Sequence, residues 1–301
     1  MKESQEKYPL VSIAIITYNQ KEFLRECIES CLAQTYKNLE IVVADDASTD
    51  GTQDLLRSYD KKYPGLFVLR LADKNSGITY NSNQAHFSCT GKYIAWMGGD
   101  DLMLPDKLAT QVEHMESNPN CSICYHNLDV FDSDTNSTLY FFNDRLKISG
   151  DIKTSIRKGT FNGGCSTMVR RTSCPEGGFD NRITMASDWL FWVDVLSKGG
   201  RIEYIDKVLG RYRRHANNIT KKSQSIVNSN EVDHLNSCNI MLAKYPEYTS
   251  DILYAYSLRL VGLRKKLNYR NVMFVAFKIS GSLKVLFALI ISLITFGRVK
   301  L

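Results

Sequence analysis

The sequence lacks long apolar runs, which limits how the chain can meet a membrane. Its longest charge-free apolar stretch, residues 285–296, has 12 residues, whereas a spanning helix needs roughly 20. No signal peptide is visible, because residues 1–8 are polar and the first apolar run, residues 10–16, is too short for the core of one. We therefore expect a cytoplasmic protein.

Acidic residues are missing from the end of the chain. From residue 252 to residue 301 there are nine Lys or Arg and no Asp or Glu. The whole chain has 38 Lys and Arg against 32 Asp and Glu, so residues 1–251 keep 29 against 32 and are mildly acidic. Basic residues beside aliphatic ones favour helices that lie in the interface of an anionic leaflet. We expect residues 226–301 to form a basic, apolar helical extension, peripheral on the cytoplasmic face of the inner membrane. Packing on the domain and a true span are the alternatives.

Cysteine is plentiful, but its arrangement does not indicate a zinc site. Cys121 and Cys124 have CxxC spacing, yet no second CxxC or close pair of histidines accompanies them. Both lie in an apolar run that is typical of a strand. We interpret them as buried thiols, reduced in the cytosol.

The first half of the chain alternates apolar runs with amphipathic segments. It predicts strands at residues 11–16, 39–44, 66–71 and 92–97, with a helix after each, the last from Pro105 to about residue 117. This repetition predicts an α/β fold, a mostly parallel Rossmann-like sheet flanked by helices. The sequence has no internal repeats or low-complexity linker. We therefore assign residues 1–225 to one domain, with a nucleotide-binding half at about 9–110 and an acceptor half at about 111–225.

The second half of that domain is less regular. Apolar patterns predict strands at 121–131 and 163–170, and a helix at 187–196. Residues 132–143 are polar and loop-like. Residues 201–214 resemble an edge strand because they are dense in cations.

Polar residues follow each of the first four predicted strands. They are Thr17-Tyr18-Asn19, Asp45-Asp46, Asn75-Ser76-Gly77 and Gly98-Gly99-Asp100-Asp101. The carboxyl ends of parallel strands meet in one crevice, where open α/β sheets bind ligands. Paired aspartates offer hard oxygen ligands for Mg²⁺ or Mn²⁺. One strand-end Asp is commonly only a turn former or helix cap, but four such groups together favour a site for a nucleotide and a metal.

These motifs resemble those of family 2 glycosyltransferases, inverting enzymes of the GT-A fold that include bacterial surface-polysaccharide enzymes. The resemblance covers roughly residues 9–220 and is most specific in the first 110. The matching segments are Val11 to Asn19, Ile41 to Thr52, Asn75 to Gly77, Tyr93 to Asp101 and Pro105-Asp106.

The resemblance implies a role for each strand-end motif. Thr17, Tyr18 and Asp46 bind the donor's nucleotide, with Asp46 reading the base, and Asn19 and Asn75 belong to the same site. Asp100 and Asp101 hold Mn²⁺ or Mg²⁺, Asp101 being the more direct ligand.

The chain departs from the family pattern at two positions. Gly98 stands where an acid is usual, and Ser82 stands where Arg is common. The second change leaves the charge of the pyrophosphate to other cations, for which the segment from Arg211 to His215 is the candidate.

The resemblance extends to the catalytic base. The segment Gly177 to Asp180, followed by Ser187-Asp188-Trp189, resembles the family's base-bearing region and assigns the base to Asp188, with Asp180 as the fallback. Alternatively, Asp188 only caps the helix that follows. His215 is a candidate ligand of the metal or a phosphate, although a lone histidine is more often structural.

We therefore expect an inverting, metal-dependent hexosyl- or N-acetylhexosaminyltransferase of surface polysaccharide (O-antigen) biosynthesis. Its donor would be a UDP-sugar, and its acceptor a glycan on a polyprenyl-diphosphate lipid carrier, with no role for nucleic acid. One competing hypothesis is a sugar-nucleotide pyrophosphorylase, which would need a glycine-rich phosphate loop after the first strand. The other is a catalytically inactive membrane-binding module.

Overall fold

The computed structural model describes residues 8–216, 218, 229–265 and 267–295. Within this part of the chain, nine strands form a single sheet. The strands are β1 (Val11–Thr17), β2 (Leu39–Asp45), β3 (Phe67–Leu71), β4 (Tyr93–Gly98), β5 (Leu102–Met103), β6 (Cys121–Asp132), β7 (Thr138–Phe141), β8 (Met168–Arg170) and β9 (Arg201–Arg214). Their order in the sheet is β3-β2-β1-β4-β8-β6-β9-β5, and β7 pairs with β6 beside this path.

Helices follow most of the strands. They are α1 (Lys21–Leu32), α2 (Thr52–Lys62), α3 (Ile78–Ser88), α4 (Lys107–Ser117), α5 (Ile152–Lys158), α6 (Asp188–Ser197), α7 (Ser229–Lys244), α8 (Thr249–Gly262), α9 (Tyr269–Ser280) and α10 (Leu283–Ile294). Short 3-10 turns occupy Gly164–Ser166, Arg171–Ser173, Pro246–Tyr248 and Leu263–Lys265.

The first four strands in the order, β3, β2, β1 and β4, are parallel. The register pairs Thr17 with Asp45 and Ile16 with Gly98, so the carboxyl ends of β1, β2 and β4 lie at one edge. The α/β fold with a mostly parallel sheet is confirmed. It arises because β1, β2 and β4 are largely buried strands that must be covered on both faces, whereas β3, at the end of the sheet, is less buried.

Helices cover both faces of the sheet because successive strand residues point to opposite sides. From β1, Val11, Ile13 and Ile15 pack in one core with apolar residues of α1, α2 and α4. Ala14 packs in the other core with residues of α3, α5, α6, α7 and α8. The C-terminal helices α7 and α8 therefore belong to the packed core beside the sheet.

Two local predictions are wrong. The loop predicted at 132–143 contains β7, which pairs antiparallel with the end of β6. The edge position predicted for residues 201–214 is also wrong, because β9 pairs with β6 along its length and with β5 at Gly210 and Arg211. Its cations suggested a solvated strand, whereas Arg213 is buried.

The last two helices form a small hairpin with its own core, made by residues such as Met273 and Leu289. Large apolar side chains on its outer surface are exposed, among them Phe274, Leu283 and Phe287. Within the described residues, no helix is both long enough and apolar enough to cross a bilayer.

A buried amide on α3 ties the ends of β1 and β2 together. Asn81 is buried, and its Nδ2 donates to the carbonyl oxygen of Ala44 at 2.9 Å and to that of Thr17 at 3.4 Å. The carbonyl oxygen of Thr17 also accepts from the backbone N–H of Asp46 at 3.1 Å, so the amide adds a side-chain donor where the two strands end. Asn81 thereby fixes the strand ends around which the polar motifs are built.

We predict that Asn81→Ala lowers the free energy of unfolding by about 1 kcal/mol, because it removes a buried side-chain hydrogen bond to the carbonyl oxygen of Ala44. Denaturant unfolding of the full chain measures this change. Tyr80→Ala is the control, since Tyr80 lies on the same helix with its side chain exposed. Equal stability of the two variants would contradict the anchoring role.

Candidate active site

A cavity of about 650 Å³ opens at the carboxyl ends of β1, β2 and β4. This size suits a small-molecule ligand. Of the residues predicted for the site, the cavity wall includes Thr17, Tyr18, Asn19, Asp46, Asp100, Asp101, Asp188 and His215. Asn75 is the exception: it is exposed, and its amide donates to the carbonyl oxygen of Asp46 at 3.3 Å. The structure thus brings carboxylates from across the sequence to one cavity.

The loop after β1 is fixed by reciprocal bonds to the loop after β2. The backbone N–H of Asn19, a residue with φ 51°, donates to the hydroxyl oxygen of Ser48 at 2.7 Å, and the Oδ1 of Asn19 accepts from the N–H of Thr49 at 2.8 Å. Asparagine tolerates this left-handed conformation better than most residues. Tyr18, the residue before Asn19, is 47% exposed and lines the cavity. A planar ligand can stack on its ring there.

Asp46 is a buried carboxylate that also orders the loop before α3. Its Oδ1 accepts from the N–H of Ser76 at 2.7 Å and its Oδ2 from the N–H of Gly77 at 2.8 Å. Gly77 has φ 91°, a conformation that favours glycine. Each oxygen retains a second lone pair for a ligand. The neighbouring residue Asp45 is fully buried. Its carboxylate accepts from the backbone N–H of Ser48 and from the side-chain amide of Gln53, so its role is structural.

Asp100 and Asp101 converge beside Gly98. A Cβ built on Gly98 would lie 2.8 Å from Oδ1 of Asp100 and 3.2 Å from Oδ2 of Asp101. An acidic side chain at position 98 would therefore collide with the two carboxylates in this arrangement. The glycine in place of the family's usual acid leaves space where the two carboxylates point.

Cations and an imidazole hold this acidic pair in place. The backbone N–H of Arg213 donates to Oδ1 of Asp101 at 3.0 Å, and its guanidinium donates to the carbonyl oxygen of Asp100 at 2.8 Å and to Glu26 at 2.5 Å. Nε2 of His215 lies 3.0 Å from Oδ2 of Asp100. Arg211 is paired with Asp129 at 2.8 Å. The guanidinium groups of Arg211 and Arg213 therefore support the fold, and the suggestion that they neutralise a pyrophosphate finds no support here.

The acidic pair has the chemistry of a divalent-cation site. Asp101 is 3% exposed, and its pKa is raised well above the ordinary value by burial first and by the charge of Asp100 second. A cation placed between the carboxylates would relieve this repulsion and lower that pKa. Two carboxylates and a nearby imidazole, all on the cavity wall, fit Mg²⁺ or Mn²⁺.

Asp188 begins α6 and faces the same cavity. Its Oδ1 accepts from the N–H of the next residue, Trp189, at 2.8 Å, whereas the N-cap position of the helix is Ser187, which makes no side-chain capping bond. The alternative that Asp188 only caps the helix is therefore wrong. Burial raises its pKa. The fallback Asp180 is different, because it forms an ion pair with Arg182 at 2.7 Å that lowers its pKa, and it is not part of the cavity wall.

Comparison with known proteins agrees with this geometry. The model of glycosyl transferase family 2 matches residues 12–178, more than half of the chain. This chain belongs to family 2 of the glycosyltransferases.

Two relatives illustrate its place in the family. An uncharacterised protein of Mycobacterium tuberculosis is 32% identical over 215 residues, which cover 69% of this chain and 60% of the relative. The putative teichuronic acid biosynthesis glycosyltransferase TuaG of Bacillus subtilis is 28% identical over 212 residues, 70% of this chain and 82% of that protein. The chain thus spans 60% of the length of the mycobacterial relative.

Solved structures share the GT-A fold. S. aureus TarS 1-349 in complex with UDP-GlcNAc has a TM-score of 0.65 at 15% identity, with 92% of this chain and 82% of that chain covered. The mannosyltransferase PcManGT from Pyrobaculum calidifontis, in complex with GDP-Man and Mn²⁺, has a TM-score of 0.64 at 20% identity, with 97% and 81% covered.

The structure adds cavity residues that the sequence did not suggest. Asn230 and His234 reach the wall from α7, and Trp96, Phe179 and Trp192 form an apolar part of it. Asn230 and His234 lie beyond the segment that the family model matches. A histidine and an asparagine at ordinary helical spacing carry no local signal of a site.

A second cluster of possible metal ligands lies away from the cavity. Ligand atoms of His114, Cys121 and Glu203 lie within 4.8 Å of one another. This cluster lies at the amino ends of β6 and β9, at the opposite edge of the sheet. Its members already pair, with His114 Nε2 2.8 Å from Glu203, so a hydrogen-bonded structural role accounts for them.

We predict that Asp101→Asn weakens the binding of Mn²⁺ in the presence of UDP by at least about tenfold. In the unaltered chain, Mn²⁺ affinity falls as the pH is lowered, because the raised pKa of Asp101 lets protons compete with the metal. Isothermal titration at several pH values measures both effects. Asp106→Asn is the control, since Asp106 is exposed and lies outside the cavity. Unchanged Mn²⁺ affinity in Asp101→Asn would refute the assignment.

Proposed function

We propose that this chain is an inverting, metal-dependent glycosyltransferase. It transfers a sugar from a nucleotide-diphosphate donor, a UDP-sugar in the first instance, to a hydroxyl group of a glycan. The observation that carries this proposal is that Asp46, Asp101 and Asp188, which are far apart in the sequence, line one cavity. Membership of family 2 supports a transferase over a pyrophosphorylase.

The donor side of the cavity matches the parts of a nucleotide diphosphate. The exposed ring of Tyr18 provides a stacking surface for a base, and Asp46 has acceptor capacity for its N–H groups. The acidic pair lies further along the same wall. Structural neighbours have been crystallised with UDP-GlcNAc and with GDP-Man and Mn²⁺, which supports this class of donor.

The reaction would be a single displacement. Asp188 accepts the proton of the acceptor hydroxyl as its oxygen forms a bond to the anomeric carbon, while the bond from that carbon to the diphosphate breaks and its electron pair leaves with the diphosphate. A divalent cation held by Asp101 and Asp100 would neutralise the charge on that leaving group. Burial suits Asp188 to this task, because a raised pKa makes the carboxylate a stronger base.

We further propose that the acceptor is a glycan on a polyprenyl-diphosphate carrier in surface polysaccharide biosynthesis. TuaG supports this pathway class by its name. The hairpin of α9 and α10 supports contact with an anionic membrane, since it carries the exposed apolar residues Leu283 and Phe287 and the exposed cations Arg270, Lys278 and Lys284. An inactive membrane-binding module would share the hairpin but would leave the acidic cavity unexplained.

A screen of UDP-glucose, UDP-galactose, UDP-GlcNAc and GDP-mannose with Mn²⁺, with nucleotide release as the readout, tests the function and selects the donor. With that donor, we predict that Asp188→Asn retains Mn²⁺-dependent UDP binding but lowers turnover by about 10²–10⁴-fold. The acid limb of the pH–rate profile should lie above the ordinary pKa of Asp, about 3.9, because the base must be ionised and burial raises its pKa.

Asp180→Asn is the matched control for that experiment, because it removes a carboxylate upstream of α6 that does not line the cavity. It should leave turnover near the level of the unaltered chain. Normal turnover in Asp188→Asn would refute the assignment of the base.

Membrane contact gives a separate prediction. Replacing Leu283 and Phe287 together by Glu should lower partitioning onto phosphatidylglycerol vesicles by about 10²-fold or more, since each buried apolar side chain contributes roughly 1.5–3 kcal/mol. Co-sedimentation measures this. Leu139→Glu is the control, because Leu139 is equally apolar and 51% exposed but lies on β7. Identical partitioning of the double variant and the unaltered chain would contradict membrane contact by the hairpin.

A further inference from the structure

Helix α7 contacts the segment that carries the proposed base. Asp233, in the second turn of α7, is 4% exposed. Its Oδ2 accepts from the backbone N–H of Met185 at 2.7 Å and from that of Ala186 at 3.1 Å, and the hydroxyl of Thr184 lies at 3.4 Å. One buried carboxylate oxygen thus accepts hydrogen bonds from three consecutive residues that lie just before α6.

The same segment is held from its other side by α3. The hydroxyl of Thr79 donates to the carbonyl oxygen of Ile183 at 2.6 Å, and it lies 3.0 Å from the hydroxyl of Ser187. Thr79 belongs to the nucleotide-binding half of the chain, whereas Asp233 comes from the C-terminal helices. Residues 183–187 are therefore clamped between the two, and α6 begins at the next residue.

We propose that Asp233 is a positioning residue that sets the location of the Asp188 carboxylate in the cavity. This inference rests on the proposed function. Without Asp233, the N–H groups of Met185 and Ala186 lose their acceptor, and a buried N–H without a partner drives the backbone to move. Because Asp188 lies only two residues after Ala186, such a movement displaces the base, and small displacements of a reacting group are costly in rate.

The face of α7 that carries Asp233 also lines the cavity. Asn230 and His234 lie three residues before and one residue after Asp233, and both belong to the cavity wall. The ring of His234 packs edge-on against Trp189 of α6, with centroids 5.7 Å apart. Burial, and then the charge of Arg259, lower the pKa of His234 to about 4, so this part of the wall is uncharged near neutral pH. An uncharged amide and imidazole suit the hydroxyl groups of an acceptor sugar.

The test compares variants of the whole chain in the presence of Mn²⁺. Binding is measured with UDP, and turnover is measured with the donor that the screen selects. Asp233→Ala should lower kcat for nucleotide release by about 10–100-fold and leave the Kd of UDP within about twofold of the unaltered chain. Asp233→Asn should restore most of the rate, because its amide oxygen can accept from the same two N–H groups. Hydrogen exchange at Met185 and Ala186 should accelerate in Asp233→Ala and much less in Asp233→Asn.

Asp194→Ala is the matched control. Asp194 is also 4% exposed, and it binds Lys244 at 2.6 Å and Tyr245 at 2.6 Å near the far end of α7. It joins α6 to α7 without touching residues 183–187. Its loss should lower the melting temperature and leave kcat unchanged.

The outcomes separate this inference from the function on which it rests. If Asp233→Ala turns over normally while Asp188→Asn is inactive, the positioning role is wrong and the proposed function stands. If Asp233→Ala loses UDP affinity and kcat together, with the thermal destabilisation seen in Asp194→Ala, Asp233 is only structural. If Asp188→Asn is fully active, the proposed function itself fails.

Discussion

The site depends on keeping two like charges side by side in a buried place. Burial first, and the charge of Asp100 second, raise the pKa of Asp101 well above its ordinary value. The fold keeps them together with Arg213, whose backbone and guanidinium bind both residues of the pair, and with His215 at Asp100. The guanidinium of Arg213 also forms an ion pair with Glu26. A divalent cation between the two carboxylates would add positive charge where they meet, which is why we propose a metal site here.

The cavity draws its walls from the whole chain. The strand ends provide the proposed nucleotide side, because open parallel sheets bind ligands at the carboxyl ends of their strands. The proposed base comes from α6, beyond the segment that the family model matches, and α7 closes the wall further along. Since α7 and α8 pack in the same core as α6, the C-terminal helices form part of the site's support. The hairpin of α9 and α10 has a separate small core and an exposed apolar surface.

Much of the architecture could be predicted from the sequence because it is encoded locally. Continuous apolar runs such as Val11–Thr17 predict buried parallel strands, and the polar residues that follow them mark the cavity edge. The position of Arg213 could not be predicted in this way, since its burial depends on partners at Glu26 and Asp100, far away in the sequence. Asn75 follows its strand as expected but bonds to the backbone of Asp46 instead of lining the cavity. Asp233 had no local signal, because its partners at 184–186 meet it only through the packing of α7.

The proposed function requires that one nucleotide–cation complex contacts Asp46, Asp101 and Asp188 in a single cavity. The most direct test is a crystal structure of the full chain grown with UDP and Mn²⁺, with anomalous scattering used to locate the metal. We predict a manganese peak beside Asp101, a diphosphate oxygen among its ligands, the uracil ring against Tyr18 within reach of Asp46, and Asp188 facing the diphosphate across open space. A nucleotide bound at another surface, or a metal bound away from Asp100 and Asp101, would contradict the account.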